Sequence, residues 1–405
     1  MNIILSAFYC HPNKGSEQAV GWNWLVELSK ENEIYCLFYA GEDQKEAVQE
    51  ALRSLPQKNN IHLYPIGFSS FTDKKIYYRL KYELWQIKVF FITKRIIREN
   101  SIDLIHGVTI SAWWFTGYYW MFNIPLVLGP LLGGQVCPKA ALSFLNLKHR
   151  IYEVARSMLL SLSSRVFINS IISIKKARLV IAGNNETLKL ILKLRNNQPT
   201  ILLSAAGANF YEQKNCNFTE NKQLKLLWVG LLIHRKNFGF LLKCLEKLPN
   251  YINWRLKVVG GGKLLNYWEK TTALSPVNNK IEFLGNIDFS NVVNYYNEAD
   301  IFLFPSLREG SPAVILEAMS YQLPVIAFNI NGAETMLNNE CGVLIPVKEK
   351  KQMVDDFVNS IIELYENPNQ RIEMGKSGRK IIEGNFLWEK RGIEMNKLYD
   401  KYIKG

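Results

Sequence analysis

Residues 301–328 read IFLFPSLREGSPAVILEAMSYQLPVIAF, and this stretch indicates the fold class. Ile301–Phe304 and Val325–Phe328 are apolar runs of the length of buried strands, and the segment between them is long enough for a short helix. Ser311 followed by Pro312 is typical of a helix start, with an N-cap and a favoured first helical residue. A strand, a helix and a second strand in this order form the building unit of a parallel sheet.

The same alternation continues along the rest of the chain. Two series of apolar runs alternate with amphipathic stretches such as Glu17–Lys30 and Gln44–Ser54. Two series in a 405-residue chain, too long for one core, predict an α/β fold of two doubly wound domains. The polar residues 212–223 are the predicted seam. The further strands are predicted at Ile3–Phe8, Glu33–Tyr39, Asp103–His106, Leu126–Gly129, Leu179–Ala182, Leu224–Val229, Trp254–Val259 and Ile281–Leu284.

The composition limits the kinds of partner and metal site that we expect for this chain. The formal charge of +13 predicts an anionic partner, such as nucleotide phosphates or a phospholipid surface. No recognised nucleic-acid motif accompanies this charge, so we expect no nucleic-acid partner. The six cysteines are scattered without a C-x-x-C pair, which is typical of reduced thiols and argues against a structural zinc.

The first residues, MNIILSAF, lack the features of a signal peptide and fit a buried strand better. Gly107–Pro138 contains no charged residue and is the one candidate for a membrane span, but its prolines and glycines interrupt any spanning helix. We predict instead a buried helix at Ser111–Phe122 and a strand at Pro125–Gly129.

Two carboxylates of the opening stretch lie in apolar surroundings. Glu317 falls in the second turn of the predicted helix, and Glu309 lies in the loop before it. A buried carboxylate must be hydrogen-bonded or must reach a polar ligand. Each acid can therefore be paired with a neighbouring Lys or backbone amide, or the two can hold two ends of one extended ligand.

These acids stand in a recognisable pattern. REGSPAVILEAMSYQLPVIA resembles the E-x7-E motif of retaining glycosyltransferases of family 4. LLWVGLLIHRKNFGF, LKVVGGGKL and IEFLGNIDFSNVVNYYNEADIFLFPS resemble further segments of that family in order and spacing, and HPNKGSEQAVGWNW, DLIHGV and LGPLLGG resemble its N-terminal domain. The resemblance covers nearly the whole chain. It implies a GT-B fold, in which two Rossmann-like domains face each other across a cleft.

The resemblance also implies roles for residues of the C-terminal half. Glu309 would bind the hydroxyls of the donor sugar, Glu317 the ribose and Lys236 the diphosphate. The amides around Gly310 and Ser311 would help to hold the sugar. Leu231 stands where family members usually carry Arg, and Arg235, the nearest replacement, either contacts the diphosphate or is solvated.

In the N-terminal half the resemblance implies weaker assignments. Gly15 would approach the donor phosphate or only shape a turn. His106, at a predicted strand end, would contact the donor sugar as a catalytic residue; the alternative is a structural histidine. Gly133 and Gly134 would form a loop on the acceptor side. In the C-terminal half, Glu334 is a weaker candidate, for the wall around the base.

The implied activity is retaining transfer of a sugar from a nucleoside-diphosphate sugar to a glycan or lipid-linked acceptor, in bacterial surface polysaccharide synthesis. No cofactor and no metal are expected, and the chain has no Asp-x-Asp motif. The implied domains are an acceptor domain at 1–208, a donor domain at 209–384 and, at 385–405, a helix that returns to the first domain. The alternatives are a binding or scaffold protein that has lost turnover, and a GT-B epimerase or phosphorylase. A glycosidase pair fits less well, because its acids flank the scissile bond.

Lys74–Arg98 mixes basic residues with Tyr, Trp, Phe and Ile, and His149–Lys176 has a similar character. Such a stretch can lie on an anionic bilayer, or it can be a surface helix that packs on the sheet. A lipid-linked acceptor would explain a basic apolar surface, so we expect a cytoplasmic protein that is peripheral on the inner face of the plasma membrane.

Overall fold

The structure is a computed structural model that describes residues 1–41, 43–68, 78–195, 198–209 and 223–404. The chain forms two compact units. The first consists of Met1–Gly134, Leu160–Gly207 and Trp388–Gly405, and the second of Gln135–Leu159 and Ala208–Leu387. Residues 135–159 therefore cluster with the second unit, whereas the sequence places them in the first domain. The predicted seam at 212–223 lies, except for its last residue, outside the described residues.

The first unit contains a seven-stranded parallel sheet in the order β3-β2-β1-β4-β5-β6-β7. Its strands are β1 (Asn2–Ala7), β2 (Glu33–Tyr39), β3 (Ile61–Ile66), β4 (Leu104–Thr109), β5 (Leu126–Leu131), β6 (Leu179–Ala182) and β7 (Thr200–Leu202). Its helices are Glu17–Leu28, Gln44–Arg53, Tyr78–Glu99, Ile168–Lys176, Asn185–Leu194 and Trp388–Tyr399, with short 3-10 turns at Lys58–Asn60 and Tyr119–Met121 and a π-helical turn at Asp400–Lys404.

Alternation along β1 shows why this sheet is covered on both faces. Ile3 and Leu5 belong to one apolar cluster, whereas Ile4 belongs to another, and all three are fully buried. Successive strand residues point to opposite faces, so a continuous apolar run buries both. Trp388 and Tyr399, from the end of the chain, complete the first of these clusters.

The second unit contains a six-stranded parallel sheet in the order β10-β9-β8-β11-β12-β13. Its strands are β8 (Leu224–Val229), β9 (Trp254–Val259), β10 (Ile281–Gly285), β11 (Ile301–Phe304), β12 (Val325–Phe328) and β13 (Gly342–Ile345). Its helices are Phe238–Leu245, Leu265–Ala273, Phe289–Glu298, Ala313–Ser320, Asn331–Met336, Lys350–Glu366 and Pro368–Ile381, with 3-10 turns at Ala140–Phe144, His234–Lys236 and Asn278–Lys280 and a π-helical turn at Ile382–Phe386. The helix Leu147–Val166 begins in this unit.

Residues 135–159 join the core of the second unit through aromatic packing. Phe144 makes an edge contact with Phe240, with ring centroids 4.8 Å apart. Cys137, Ala141 and Leu145 are buried in the same apolar cluster. Burial of these side chains explains why the segment leaves the first unit, although no composition shift marks its ends.

The predicted helix at Ser111–Phe122 is wrong. The backbone there pairs with Leu132 instead: the amide of Trp113 donates to the Leu132 carbonyl at 2.9 Å, and the amide of Leu132 donates to the Ser111 carbonyl at 2.6 Å. Gly117 has φ of +68°, which a right-handed helix does not accommodate. Three strands, β3, β7 and β13, have no counterpart in the prediction.

Candidate functional site

The candidate site of the second unit lies where β8 and β11 end. These two strands are hydrogen-bonded neighbours in the parallel sheet, so the loops that follow them leave the same edge. The loop after β8 contains the 3-10 turn His234–Lys236, and the loop after β11 contains Glu309. The Leu307 amide donates to the Arg235 carbonyl at 2.8 Å, which joins the two loops directly.

Glu309 lies between two cations from the other loop. Its Oε1 is 2.8 Å from Lys236 Nζ and is also in contact with the Arg235 guanidinium. The side chains of Glu309 and Lys236 are only 14% and 10% exposed. Burial raises the pKa of Glu309, but Lys236 and Arg235 outweigh burial and hold that pKa below its usual value. The site thus holds an ionised carboxylate beside two cations at neutral pH.

The loop around Glu309 is fixed from a third side. The Gly332 amide donates to the Glu309 carbonyl at 3.1 Å. A Cβ at Gly332 would lie 2.6 Å from the Gly310 carbonyl oxygen, so only glycine permits this approach. The following helix has Pro312 as its N-cap and begins at Ala313, one residue later than the sequence predicts. Gly310 and Ser311 therefore lie in the loop, between Glu309 and the helix.

Glu317 occupies a separate position on that helix. Its Oε2 accepts a hydrogen bond from the Tyr296 hydroxyl at 2.7 Å, and the Tyr296 ring stacks on Tyr321. Burial raises the pKa of Glu317, although the Tyr296 hydrogen bond opposes the shift. Glu317 as a whole residue is half-buried.

Leu231 lies in the loop after β8, close to Lys236 and Arg235 in the sequence. It is 54% exposed and directly follows Gly230, whose φ of +152° favours glycine. A Cβ at Gly230 would lie 3.5 Å from Lys236 Nζ, so the Lys236 ammonium reaches back to the end of β8. Arg235 lies on the same turn and contacts Glu309. It is therefore at the site but paired with the carboxylate.

Sequence reasoning missed three residues next to this site. Glu153, on the helix Leu147–Val166, accepts from Arg308 Nε and from a terminal nitrogen of Arg308 at 3.0 Å each. Its Oε1 is also 2.9 Å from His234 Nε2. The Glu153 side chain is 1% exposed. Glu317 is the lone carboxylate of an apolar helix, and Glu153 is the lone carboxylate of a basic and apolar one, so a similar signal could have found it.

His106 has a structural environment in the first unit. It is fully buried in β4; its Nε2 donates to the Gly129 carbonyl at 2.7 Å, and its Nδ1 accepts from the Tyr399 hydroxyl at 2.5 Å. Burial lowers the pKa of His106 to about 4, so the ring is neutral at pH 7. Both ring nitrogens have protein partners, which is the structural alternative that the sequence leaves open. The catalytic role of His106 stays a prediction.

The candidate glycines of the first unit lie in loops. Gly15 is followed by Ser16, with φ of +58°, and by the helix Glu17–Leu28. Gly133 has φ of +107°, and the Gly134 amide donates to Thr187 Oγ1 at 3.1 Å. A Cβ at Gly134 would lie 2.6 Å from the Thr187 backbone, so this glycine serves packing within the unit.

Two features concern metals and membranes. The described part of the chain contains no group of three or more His, Cys, Asp or Glu that could hold a metal ion. No helix in the described ranges combines the length and the apolarity that a bilayer crossing needs.

The second unit carries a known family signature. Residues 209–381 match the model of glycosyl transferases group 1. The capsular polysaccharide biosynthesis glycosyltransferase CapM of Staphylococcus aureus is 27% identical over 216 residues, which cover 50% of this chain and 54% of that protein. The UDP-Gal:alpha-D-GlcNAc-diphosphoundecaprenol alpha-1,3-galactosyltransferase of Escherichia coli is 34% identical over 147 residues, 36% of each chain. The chain spans about half the length of the curated relatives that it matches.

Solved structures define the fold over the whole chain. Sucrose-phosphate synthase from Thermosynechococcus elongatus matches with a TM-score of 0.68 at 18% identity, covering 99% of this chain and 98% of that one. Anabaena HepE in complex with UDP matches with a TM-score of 0.66 at 14% identity, covering 99% of each chain. With the two parallel-sheet α/β units, these likenesses confirm the GT-B fold class.

Proposed function

We propose that the chain is a glycosyltransferase that moves a sugar from a nucleoside-diphosphate sugar to a glycan or lipid-linked acceptor, with retention of configuration. The observation that carries this proposal is Glu309, held ionised between Lys236 and Arg235 at the ends of two neighbouring parallel strands. A carboxylate can accept hydrogen bonds from sugar hydroxyls, and the cations beside it can bind phosphate. The region that matches glycosyl transferases group 1 contains all three residues.

In the proposed reaction each charged side chain of the site has a role. Departure of a nucleoside diphosphate develops negative charge on the leaving oxygen, and a cation placed there stabilises the transition state. Lys236 supplies this charge and Arg235 adds to it, so the proposed reaction needs no metal. Glu309 positions the sugar, and Glu317 on the next helix binds the ribose. In this proposal the departing phosphate itself takes the proton of the acceptor hydroxyl.

The choice of nucleotide and acceptor class is supported by relatives. The matched Anabaena structure contains UDP, and the name of the Escherichia coli relative specifies a UDP-sugar and a diphosphoundecaprenol-linked acceptor. The name of CapM specifies capsular polysaccharide synthesis. We therefore assign this chain to bacterial surface polysaccharide synthesis, with UDP-sugars as the first donors to test.

Exposed apolar side chains support a peripheral membrane location on the cytoplasmic face. On the helix Tyr78–Glu99, Leu80 and Phe91 are 55% and 65% exposed, and the neighbouring turns carry Lys and Arg. On the helix Leu147–Val166, Leu147, Ile151 and Met158 are 60% to 69% exposed. Apolar side chains flanked by basic ones fit the interface of an anionic bilayer. The predicted segment Lys74–Arg98 begins outside the described residues, which resume at Tyr78.

A binding protein without turnover is the second candidate, because Leu231 replaces a cation and Glu309 already neutralises much of the charge of Lys236 and Arg235. A hydrolysis screen across UDP-, GDP- and ADP-sugars separates the two. Turnover with one donor class, lost in Lys236→Ala with an unchanged circular dichroism spectrum, is the expected result. Nucleotide binding without turnover for every donor tested would establish the second candidate.

A further inference from the structure

Glu153 is a carboxylate that the proposed reaction does not use, although it is almost wholly buried. It lies on the helix Leu147–Val166, far in sequence from the loops of the site. Its burial raises the pKa of its carboxyl, but His234 and Arg308 outweigh burial and hold that pKa at about 2. A buried carboxylate is stable only with such partners. These partners neutralise the Glu153 carboxylate, and they also attach it to two loops.

The two partners come from the two loops that form the site. Arg308 immediately precedes Glu309 in the loop after β11 and binds Glu153 through two nitrogens. His234 opens the turn that contains Arg235 and Lys236, and its Nε2 is 2.9 Å from Glu153. Glu153 is therefore one fixed point to which both loops are attached, each within two residues of a site side chain.

Further contacts restrict the same geometry. The His234 ring stacks on His149, from the helix of Glu153, with ring centroids 4.5 Å apart and planes inclined by 8°. The Arg308 carbonyl accepts from Arg235 at 3.0 Å, which repeats the link between the loops. The bidentate pair fixes the direction of Arg308 as well as its distance. Sliding of one loop against the other would break at least one of these contacts.

We propose that Glu153 is a positioning residue that sets the spacing of Lys236 and Glu309 by holding His234 and Arg308. This inference rests on the proposed function for its kinetic consequences, but the geometric part stands on the contacts alone. In Glu153→Gln one of the two carboxylate oxygens is replaced by an NH2 donor, so at least one of the three hydrogen bonds to Arg308 and His234 is lost. A displacement of about 1 Å in a site can lower the rate roughly 100-fold. We expect Glu153→Gln to lower kcat roughly 10- to 100-fold, with a smaller change in the KM for the donor.

The matched control is a variant that weakens the second unit away from these loops. Phe357, in the helix Lys350–Glu366, is fully buried, and Phe357→Leu should lower the thermal midpoint without changing kcat. Arg308→Lys keeps the charge and loses the bidentate geometry, so it provides a milder form of the perturbation if Glu153→Gln fails to fold. We expect Arg308→Lys to lower kcat as well, by a smaller factor.

Hydrogen–deuterium exchange and kinetics together test the positioning role of Glu153. The expected result is faster exchange in residues 231–237 and 305–312 of Glu153→Gln than of Phe357→Leu, together with the loss of kcat. A lower thermal midpoint with unchanged kcat and unchanged exchange in both loops would overturn the proposal. If the unmodified protein turns over no donor, the proposed function fails, and exchange in the two loops alone then supports or overturns the positioning role.

Discussion

Replacing Glu309 by Gln should have opposite effects on nucleotide binding and on turnover. In the free protein the Glu309 carboxylate accepts from Lys236 Nζ at 2.8 Å, so it competes with any phosphate for that cation. Glu309→Gln removes this negative charge and keeps the shape of the side chain. Lys236 and Arg235 then present more positive charge to a diphosphate. In the proposed reaction the hydroxyls of the donor sugar at the same time lose the charged carboxylate that accepts their hydrogen bonds.

The size of the first effect follows from the geometry. A phosphate oxygen that binds Lys236 Nζ from the side opposite Glu309, at a similar distance, lies about 5.6 Å from the carboxylate oxygen. Coulomb repulsion between unit charges at this distance is about 3 kcal/mol at an effective dielectric constant of ~20 and about 0.7 kcal/mol at ~80. Removal of the repulsion corresponds to roughly 3- to 150-fold tighter binding, and we expect roughly 10-fold.

Isothermal titration of UDP into both proteins measures this change, and donor hydrolysis measures turnover, which we expect to fall roughly 100-fold. Glu298→Gln is the control for net charge, because Glu298 is 53% exposed and pairs with Lys257 on the surface. It should change neither quantity. Weaker UDP binding in a folded Glu309→Gln protein, or unchanged turnover, would refute the assignment of Lys236 to phosphate and Glu309 to sugar.

Three further outcomes are expected. Chelation with EDTA should leave turnover unchanged, because in the proposed reaction Lys236 and Arg235 take the place of a metal; loss on chelation that manganese restores would indicate a different transferase chemistry. Stability should fall in acid, because the pKa of Glu153 is about 2 in the folded protein and about 4.5 when unfolded. That contribution is complete above pH 4.5 and is lost as the pH falls toward 2, so urea unfolding should show a loss of roughly 2 kcal/mol between pH 5 and pH 3, smaller in Glu153→Gln. Co-sedimentation with phosphatidylglycerol vesicles should exceed that with zwitterionic ones, fall with salt and be lost when Lys74, Lys75, Arg79 and Lys81 are changed to Gln; equal sedimentation with both lipids would argue for an ordinary surface helix.

The sequence predicts β8, β9 and β11 of the second unit at the residues where the structure has them. Ile301–Phe304 is apolar and buried throughout, whereas Leu224–Val229 and Trp254–Val259 are apolar runs interrupted by Lys and Arg. The predicted helix at Ser111–Phe122 is wrong. A run of aromatic residues is apolar in either conformation, and only the pairing of Ser111 and Trp113 with Leu132 determines the outcome.

Some residues of the candidate site can be found from short stretches of sequence, whereas others depend on contacts between distant parts of the chain. The roles of Arg235, Lys236 and Glu309 are implied by the resemblance to family motifs, each of which is a short continuous stretch; the structure has the first two before the helix Phe238–Leu245 and Glu309 before the helix Ala313–Ser320. The pair between Glu153 and Arg308 joins residues 155 positions apart. No local pattern gives such a distance, because it depends on which unit the segment 135–159 packs against.

The return of the chain to the first unit has a consequence for synthesis on the ribosome. Trp388 makes an edge contact with Trp24, with ring centroids 5.5 Å apart, and Tyr399 donates to buried His106. Domains generally fold as units, from the N-terminus onward, as the chain emerges. Here the core of the first unit stays incomplete until residues 388–399 have left the ribosome, by which time all residues of the second unit have been translated. We therefore expect the nascent first unit to expose part of its apolar core until those residues have emerged.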